Sequence, residues 1–181
     1  MEIFLDSSDI KEIRGLNKAN LIDGITTNPS LLEADVLRKI AKNIVIKVPL
    51  TWNGLQACSI LSAKKIKVNV TLCFSTSQAL LAAKAGATYV SPFIGRLDDI
   101  GENGIQLIED IKKVFNNYKN IKTKILSASI RSVEHFNAVA AIGSDVATVP
   151  VKIFKELHKH HLTDKGIDIF TADWKKSGMK I

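Results

Sequence analysis

Short apolar runs alternate with amphipathic segments along most of this 181-residue chain. The runs are rich in valine and isoleucine, which is typical of buried strands, and the segments between them have helical spacing. This pattern predicts strands at 2–5, 24–27, 43–49, 67–72, 88–93, 124–128 and 146–149. It predicts a first helix capped by Ser7 or Ser8, and further helices at 33–41, 53–63, 75–85, 104–118, 133–142, 151–159 and 164–176.

Strands that are regularly separated by helices pair in parallel, because parallel neighbours need long crossover connections. The natural closed form of such a chain is an α/β fold, the TIM-type β/α barrel, and the pattern shows seven strands where that barrel has eight. We expect one barrel domain over residues 1–181, with a C-terminal helix at about 164–176. Functional side chains in such barrels lie at the C-terminal ends of the strands.

One cation, Lys47, interrupts the apolar run at 44–48. Side chains alternate across a strand, so Ile44, Ile46 and Val48 share one face, and Lys47 points inward if that face packs on helices. Burial lowers the pKa of an ammonium and exposes the lone pair that attacks a carbonyl, as a Schiff-base lysine requires. The alternative is a lysine whose stem carries its charge to solvent.

Polar side chains recur near the ends of the other strands, on faces that the same alternation can turn inward. This recurrence favours a shared site. The members are Asp6, Asn28, Asn69, Thr71, Ser91, Ser127, Ser129 and Arg131. Four candidates also have a local alternative: a helix cap for Asp6, a turn for Asn28, a pair with Asp98 or Asp99 for Arg96, and a surface charge for Arg131.

The catalytic candidates support carbon–carbon chemistry at a ketone. Lys47 would form an iminium that serves as the electron sink, while Asp6 would take or return a hydroxyl proton. Thr71 would hold a water that relays protons. The remaining groups suit a phosphorylated sugar, since amides and hydroxyls bind its hydroxyls and a guanidinium offers paired donors to phosphate. These are Asn28, Asn69 and Ser91 for the hydroxyls, and Arg131 with Ser129 and Arg96 for the phosphate.

Composition narrows the function classes. The net charge of +7 comes from lysines scattered along helical stretches, which favours a solvated surface over a nucleic-acid patch. The N-terminal run is acidic and strand-like, and no apolar run reaches membrane-spanning length, so we expect a cytoplasmic protein without membrane contact. Cys58 and Cys73 are expected to be reduced structural thiols. The histidines at 158–161 lack the spacing of a helical zinc site and indicate an exposed helix end, so no metal is expected.

Six stretches are similar to a known family: IFLD (3–6), GITTNPS (24–30), IVIKVP (44–49), NVTLCFS (69–75), AGATYVSPFIGR (85–96) and ASIR (128–131). They resemble the small transaldolases, a group that includes the fructose-6-phosphate aldolases. The resemblance implies that Lys47 is the Schiff-base lysine, Asp6 an acid/base partner, and Ser129 and Arg131 parts of a phosphate site near Arg96. It also implies transfer of a dihydroxyacetone unit from a ketose phosphate to an aldose phosphate, without metal or cofactor.

Two positions refine the resemblance. Phe93 stands where the aldolase branch carries tyrosine, and a phenyl ring cannot orient a water, so a transaldolase is preferred over fructose-6-phosphate aldolase. Between Pro29 and Asn43 only 13 residues remain, whereas the family has a helix, a strand and a second helix there. The missing strand carries the family's glutamate or glutamine, so we expect a recognisable but weakened site in a barrel that either closes on seven strands or stays open.

Three function classes follow: an active transaldolase, a degenerate relative that binds sugar phosphate with little turnover, and, least supported, a nucleic-acid-binding protein. The last predicted helix presents Ile167, Phe170 and Trp174 at helical spacing. That stripe can pack on its own barrel or on another subunit. The family resemblance implies a homo-oligomer, a pentamer or decamer in which this tail reaches a neighbour.

Overall fold

The computed structural model of the protein describes residues 1–26 and 45–178. Within them the chain forms seven strands: β1 (Glu2–Asp6), β2 (Gly24–Thr26), β3 (Ile46–Pro49), β4 (Val68–Cys73), β5 (Tyr89–Pro92), β6 (Lys124–Ser127) and β7 (Val146–Pro150). The α-helices of the same residues are α1 (Ile10–Leu16), α2 (Trp52–Ala63), α3 (Thr76–Lys84), α4 (Ile94–Asp98), α5 (Gly104–Asn116), α6 (Val133–Ile142), α7 (Val151–Phe154) and α8 (His161–Ser177), with a 3₁₀ turn at Asn17–Ala19.

All strand pairings in the sheet are parallel. The strand order is β2-β1-β7-β6-β5-β4-β3, so β1 pairs with the last strand and the sheet begins to close on itself. Its two edges are β2 and β3, which are consecutive strands among the described residues. The predicted β/α barrel-type fold with seven strands is confirmed as a curled parallel sheet, in which β2 and β3 do not pair with each other among the described residues.

The sheet has a helix-covered outer face and an inner face, and each has its own apolar cluster. The larger cluster joins outward strand residues such as Val70 and Val90 to helix residues such as Ile108 and Val139. The smaller cluster lies on the inner face and contains Leu126, Ala128 and Val146, with Phe4, Tyr89 and Phe93 packed against them. Ile46 and Val48 belong to the outer cluster, as their alternation with Lys47 predicted. Ile44 lies outside the described residues.

Polar residues at the ends of the strands start the helices that follow. Thr51, Ser75 and Ser132 accept hydrogen bonds from the backbone amides of Gly54, Gln78 and His135, at 3.1, 3.3 and 3.1 Å. Each cap satisfies an amide that has no partner inside its helix. These caps fix where each helix leaves the C-terminal end of the sheet.

The structure corrects the predicted start of the first helix. Its cap is Asp9, whose carboxylate accepts from the amides of Lys11 and Glu12 at 2.8 and 3.2 Å. Ser7 instead accepts from the amide of Asp9 at 3.1 Å, so neither Ser7 nor Ser8 caps α1. One carboxylate oxygen can serve two amides, and this advantage explains the choice of Asp9.

Two other helix ends differ from the predictions by three residues or more, and one short helix was not predicted. The helix that begins at Val151 ends at Phe154, well before the predicted residue 159. α8 begins at His161 because the ring of His160 accepts from the amide of Leu162 at 3.2 Å. The five-residue helix α4 was not predicted. The helix predicted at 33–41 lies outside the described residues, and none of the described helices is long and apolar enough to cross a membrane.

Candidate active site

The inner face becomes polar at the C-terminal ends of the strands. Register places Lys47 beside Asn69 and Thr71 beside Ser91, and on the other half of the sheet it places Asp6 beside Thr26. Register partners in a parallel sheet point to the same side, and Asn69 pairs with Tyr89 of the inner cluster. Lys47, Asp6, Asn69, Thr71 and Ser91 therefore share the inner face, as the alternation of side chains predicted.

Lys47 occupies the second position of β3 and is half-buried. Burial lowers the pKa of its ammonium from the ordinary value, and the negative charge of Asp6 partly opposes that shift. β1 and β3 are well separated in strand order, so this electrostatic contact must act across the inner side of the curled sheet. The arrangement increases the fraction of neutral amine at a given pH, which is the form that attacks a carbonyl.

Asp6 belongs to a cluster with two threonine hydroxyls. Thr26 donates a hydrogen bond to the Asp6 carboxylate at 3.2 Å and forms a short hydrogen bond with the hydroxyl of Thr148. Because Thr26 has one proton to give, Thr148 is the donor of that second bond. Asp6 is exposed, whereas both threonines are buried. The hydrogen bond from Thr26 restricts the orientation of the Asp6 carboxylate, whose charge acts on Lys47.

Thr148 was not predicted as a member of the site. The available signal was its position in β7, where a hydroxyl lies between Ala147 and Val149, which face the helices. Thr148 pairs with Phe4 of the inner cluster, so the same alternation test places it inward. The alternation of side chains in β7 is therefore a sequence signal for this residue.

A second polar pair lies on the other half of the sheet. Ser91 donates a hydrogen bond to the amide oxygen of Asn69 at 2.8 Å, and both side chains are buried. Thr71 is nearly buried and pairs in register with Ser91. Leu72, directly after it, has a left-handed backbone with φ of 61° at a register shift between β4 and β5. A bulky residue in that conformation is strained, and such irregularities redirect strand ends beside functional sites.

The predicted phosphate ligands come from two adjacent segments. The backbone of Gly95 in α4 donates to the carbonyl of Ser129 at 3.1 Å, which packs α4 against the segment after β6. Arg96 lies over the Phe93 ring, 5.1 Å from its centroid. Ser129 has a left-handed backbone with φ of 58°. Arg96, Ser129 and Arg131 thus belong to neighbouring segments at the C-terminal end of the sheet.

Arg131 is exposed and forms a bidentate ion pair with the carboxylate of Asp99. The hydrogen bonds from Arg131, followed by the charges of Arg131 and Arg96, hold the pKa of Asp99 below its usual range, and the same pair raises the pKa of Arg131. Asp99 was predicted only as an alternative partner for Arg96. Its partner is instead the neighbouring guanidinium, because Arg131 extends over Gly95.

Two predicted positions are not placed in the site by the structure. Ser127 was expected to share a face with Ser129 and Arg131, and this is wrong: Ser127 points toward the helices, where its hydroxyl bonds that of Ser144 at 2.8 Å. Regular alternation ends with β6 at Ser127, and the positive φ of Ser129 turns the chain. Asn28 lies outside the described residues.

Both cysteines belong to the outer apolar cluster, and three of the four histidines lie in the segment at 158–161. Cys58 and Cys73 are free and buried, and burial raises the pKa of the Cys73 thiol to about 12. A thiol so weakly acidic is a poor nucleophile at neutral pH. His158, His160 and His161 are exposed, as expected for a helix end. Among the described residues no group of three or more metal-ligating side chains comes together.

Fold and site together define a β/α-barrel-type protein whose polar inner face centres on a half-buried lysine. Residues 32–181 match the transaldolase/fructose-6-phosphate aldolase family model. Over 217 aligned residues, which cover all of both chains, the chain is 48% identical to a probable transaldolase of Parvibaculum lavamentivorans. It is 49% identical to probable transaldolases of Chelativorans sp. and Bartonella tribocorum with the same coverage. The chain therefore belongs to the transaldolase/fructose-6-phosphate aldolase family.

These relatives are longer than this chain. The 217 aligned residues exceed its 181 by 36, so the alignments contain positions that have no counterpart here. The family resemblance leads us to expect a shortening of this kind between Pro29 and Asn43, which both lie outside the described residues. Among solved structures, a mandelate oxidase with (S)-4-hydroxymandelic acid is 18% identical at a TM-score of 0.41, covering 56% of this chain and 28% of that one. That likeness is too weak to support a conclusion.

Proposed function

We propose that this protein is a transaldolase that transfers a dihydroxyacetone unit between phosphorylated sugars through a Schiff base on Lys47. The observation that carries the proposal is the half-buried Lys47 amine, whose pKa burial lowers, on the same face as Asp6. Phosphorylated ketoses and aldoses of the pentose phosphate pathway are the proposed substrates. We propose a cytoplasmic setting, in which both buried thiols stay reduced.

The reaction begins when the neutral amine of Lys47 attacks the ketose carbonyl and water leaves, which forms an iminium. The C3–C4 bond then breaks, its electron pair moves into the iminium to give an enamine, and Asp6 takes the proton of the C4 hydroxyl. The first aldose phosphate leaves. The enamine attacks the aldehyde of the second aldose phosphate, Asp6 returns the proton, and water releases the new ketose. Thr71 is the proposed holder of the water that relays protons.

The binding groups divide by their chemistry. The Ser91 and Asn69 pair is proposed to meet the sugar hydroxyls, with Asn28 assigned the same task by resemblance. Arg131, Ser129 and Arg96 are proposed to bind the phosphate, because guanidinium groups offer paired donors to its oxygens. Phe93 packs edge to face with Phe74, with ring centroids 6.0 Å apart, and supplies no hydroxyl for a catalytic water. This favours transfer to an acceptor over simple aldol cleavage.

Borohydride trapping tests the mechanism. The full chain is incubated with fructose 6-phosphate and borohydride, and the modified peptide is located by mass spectrometry. We expect the adduct on Lys47 in the wild type and in Lys124→Ala, and no adduct in Lys47→Ala. An adduct elsewhere, or unchanged trapping in Lys47→Ala, contradicts the proposal.

A product assay separates transfer from cleavage. Fructose 6-phosphate is supplied with and without an aldose phosphate acceptor, and free dihydroxyacetone and the new ketose phosphate are measured. We expect the new ketose to form only with the acceptor and little free dihydroxyacetone. Free dihydroxyacetone as the main product would indicate a fructose-6-phosphate aldolase instead.

The open sheet supports a second candidate, a sugar-phosphate-binding relative with little turnover. Among residues 1–26 and 45–178, β3 is an edge strand, so Lys47 has a strand neighbour on one side only. Catalytic geometry tolerates little displacement, so turnover is expected to be weaker than in full-length relatives. Binding of fructose 6-phosphate by calorimetry without any borohydride adduct would support this candidate over the transaldolase.

We also propose that the chain forms a homo-oligomer, a pentamer or decamer as the family resemblance implies. The helix α8 has no buried residue, and its apolar side chains are exposed: Leu162, Ile167, Ile169, Phe170 and Trp174. Phe170 is 74% exposed. Light scattering after gel filtration tests the proposal, with Phe170→Asp expected to reduce the mass and Lys165→Glu, a charge change on the same helix, expected to leave it unchanged. A monomeric wild type would contradict it.

A further inference from the structure

Arg131, the proposed phosphate ligand, already forms an ion pair with Asp99 at the C-terminal end of the sheet. Both terminal nitrogens of Arg131 bond the carboxylate of Asp99. Nη1 bonds Oδ1, and Nη2 lies 2.6 Å from Oδ2. The side chains are 47% and 52% exposed, so the pair faces solvent. This bidentate geometry is the one that a guanidinium offers to an incoming phosphate.

The backbone on both sides of this pair is held by other contacts. The amide of Asp99 donates to the carbonyl of Gly95 at 3.2 Å. Asp98 accepts from the amide of Gly104 at 3.1 Å and pairs with Nε2 of His135 at 3.1 Å, while Nδ1 of His135 accepts from the amide of Arg131 at 3.4 Å. Opening the ion pair therefore needs only side-chain rotation at Asp99, and the guanidinium can stay in place.

A phosphate that binds Arg131 at these nitrogens must first displace Asp99. Bonds to the carboxylate are then exchanged for bonds to the phosphate, so part of the gain from phosphate binding is lost. A ketose without phosphate makes no such exchange, because it does not need Arg131. Asp99 thus acts on the affinity for phosphorylated ligands alone.

We propose that Asp99 is a specificity-determining residue that competes with substrate phosphate for Arg131 and so limits the preference of the site for phosphorylated over unphosphorylated ketoses. This inference rests on the proposed function, in which Arg131 binds the substrate phosphate. Asp99→Asn keeps the shape of the side chain and removes its charge. Glu102→Gln is the matched control, since it removes an exposed charge three residues away from Asp99.

The direct test is calorimetric titration of the full chain with inorganic phosphate. We expect Asp99→Asn to bind phosphate about fivefold more tightly than wild type, the size that loss of an exposed ion-pair competitor permits. Glu102→Gln should change affinity less than about twofold by the same estimate, and Arg131→Met should abolish binding. Asp99→Ser repeats the test, and thermal unfolding verifies that each variant is folded. Unchanged or weaker binding in both Asp99 variants overturns the inference.

The kinetic test compares fructose 6-phosphate with fructose as donors in borohydride trapping. Asp99→Asn should raise the phosphate preference by about the same fivefold factor, with trapping of fructose unchanged. The binding test does not depend on Lys47, so its result is separable from the proposed reaction. Adduct formation with no effect of Asp99→Asn overturns this inference and leaves the transaldolase proposal standing. Tighter phosphate binding without any adduct supports the inference and contradicts the reaction.

Discussion

At the N-terminal ends of the strands, acidic side chains bind the nearest cation or backbone amide, whereas at the C-terminal ends polar side chains face one another across the inner side of the sheet. Glu2 pairs with Lys124 at 2.7 Å. Asp145 and Asp23 accept from the amides of Ile125 and Ile3, both at 2.8 Å. These bonds satisfy strand ends, which is a structural task.

The two lysines on the inner face make the difference explicit. A hydrogen bond from Lys124 to Glu2, with the charge of that carboxylate, raises the pKa of Lys124, while burial lowers the pKa of Lys47. The same residue type is therefore stabilised as a cation at one end and shifted toward the neutral amine at the other. The contrast separates a charge that supports the fold from one that suits nucleophilic chemistry.

Removing each lysine charge in turn should give the largest difference between the two ends of the strands. Lys47→Met should lower transaldolase activity by at least about a thousandfold, because Lys124, the other lysine described on this face, lies at the N-terminal end and is held as a cation by Glu2. Lys124→Met should leave activity near wild type and cost at most about 1 kcal/mol of the free energy of unfolding, since its ion pair is exposed. Steady-state kinetics and urea unfolding measure the two effects. Similar activity losses in both variants would show that the two ends are not functionally distinct.

Substituting one glycine at each end of the strands should give the next largest effect on stability and activity. A Cβ on Gly54 would overlap the carbonyl oxygen of Pro49, at the end of the Lys47 strand. Gly54→Ala should therefore destabilise the protein by about 3 kcal/mol and reduce activity, because β3 must shift relative to α2. At the other end, Gly143 has φ of 84° and only Lys112 near its Cβ position. Gly143→Ala should cost about 1 kcal/mol, the usual penalty for an alanine in a left-handed conformation.

The control for these variants is activity per folded molecule. Gly143→Ala should retain wild-type kcat at a temperature where it is folded, while Gly54→Ala should not. Thermal unfolding followed by circular dichroism sets that temperature. Equal kcat in the two variants would refute the idea that the contact of Gly54 with Pro49 positions the Lys47 strand.

Removing one buried hydroxyl from each face of the sheet distinguishes the functional inner face from the structural outer face. Ser91→Ala takes away the donor to Asn69 and should destabilise the protein by about 1 to 2 kcal/mol, as expected when a buried acceptor loses its partner. It should also raise the KM for the ketose phosphate. Ser127→Ala removes a similarly buried hydroxyl on the outer face, with a comparable stability loss and no change in KM. Urea unfolding and initial-rate kinetics distinguish the two, and a KM change in Ser127→Ala would argue against the assignment of faces.

The smallest expected effect is a pH shift. The charge of Asp6 raises the pKa of Lys47 against the larger effect of burial. Asp6→Asn should therefore move the midpoint of borohydride trapping against pH to a lower value, even where the rate falls. An upward shift would mean that Asp6 does not act on the Lys47 charge.

The lowered pKa of Lys47 also makes the stability of the folded protein depend on pH. A lysine whose folded pKa is lowered disfavours the folded state as pH falls from its unfolded value of about 10.4 through the folded pKa. Wild type should thus lose stability relative to Lys47→Met across that window as pH decreases. Urea unfolding of both proteins at several pH values measures the difference.

The strands and most of the helices could be predicted from the sequence, because the repeat of apolar residues and the polar caps of helices are local properties. The sequence also determined which residues of one strand share a face, such as Asn69 with Thr71, while the register between strands joined them to Lys47 and Ser91. Ser127 was misassigned because alternation fails once the strand ends. Thr148 was overlooked although the same rule covers it.

The contacts between segments that are distant in sequence are visible only in the tertiary structure. The pairing of β1 with β7 curls the sheet and brings Asp6 into electrostatic reach of Lys47, which no local pattern encodes. The contact of Gly95 with Ser129 brings α4 beside the segment after β6, so that Arg131 binds Asp99. These contacts join residues far apart in sequence, and they depend on strand order and close packing, which a one-dimensional periodicity does not contain.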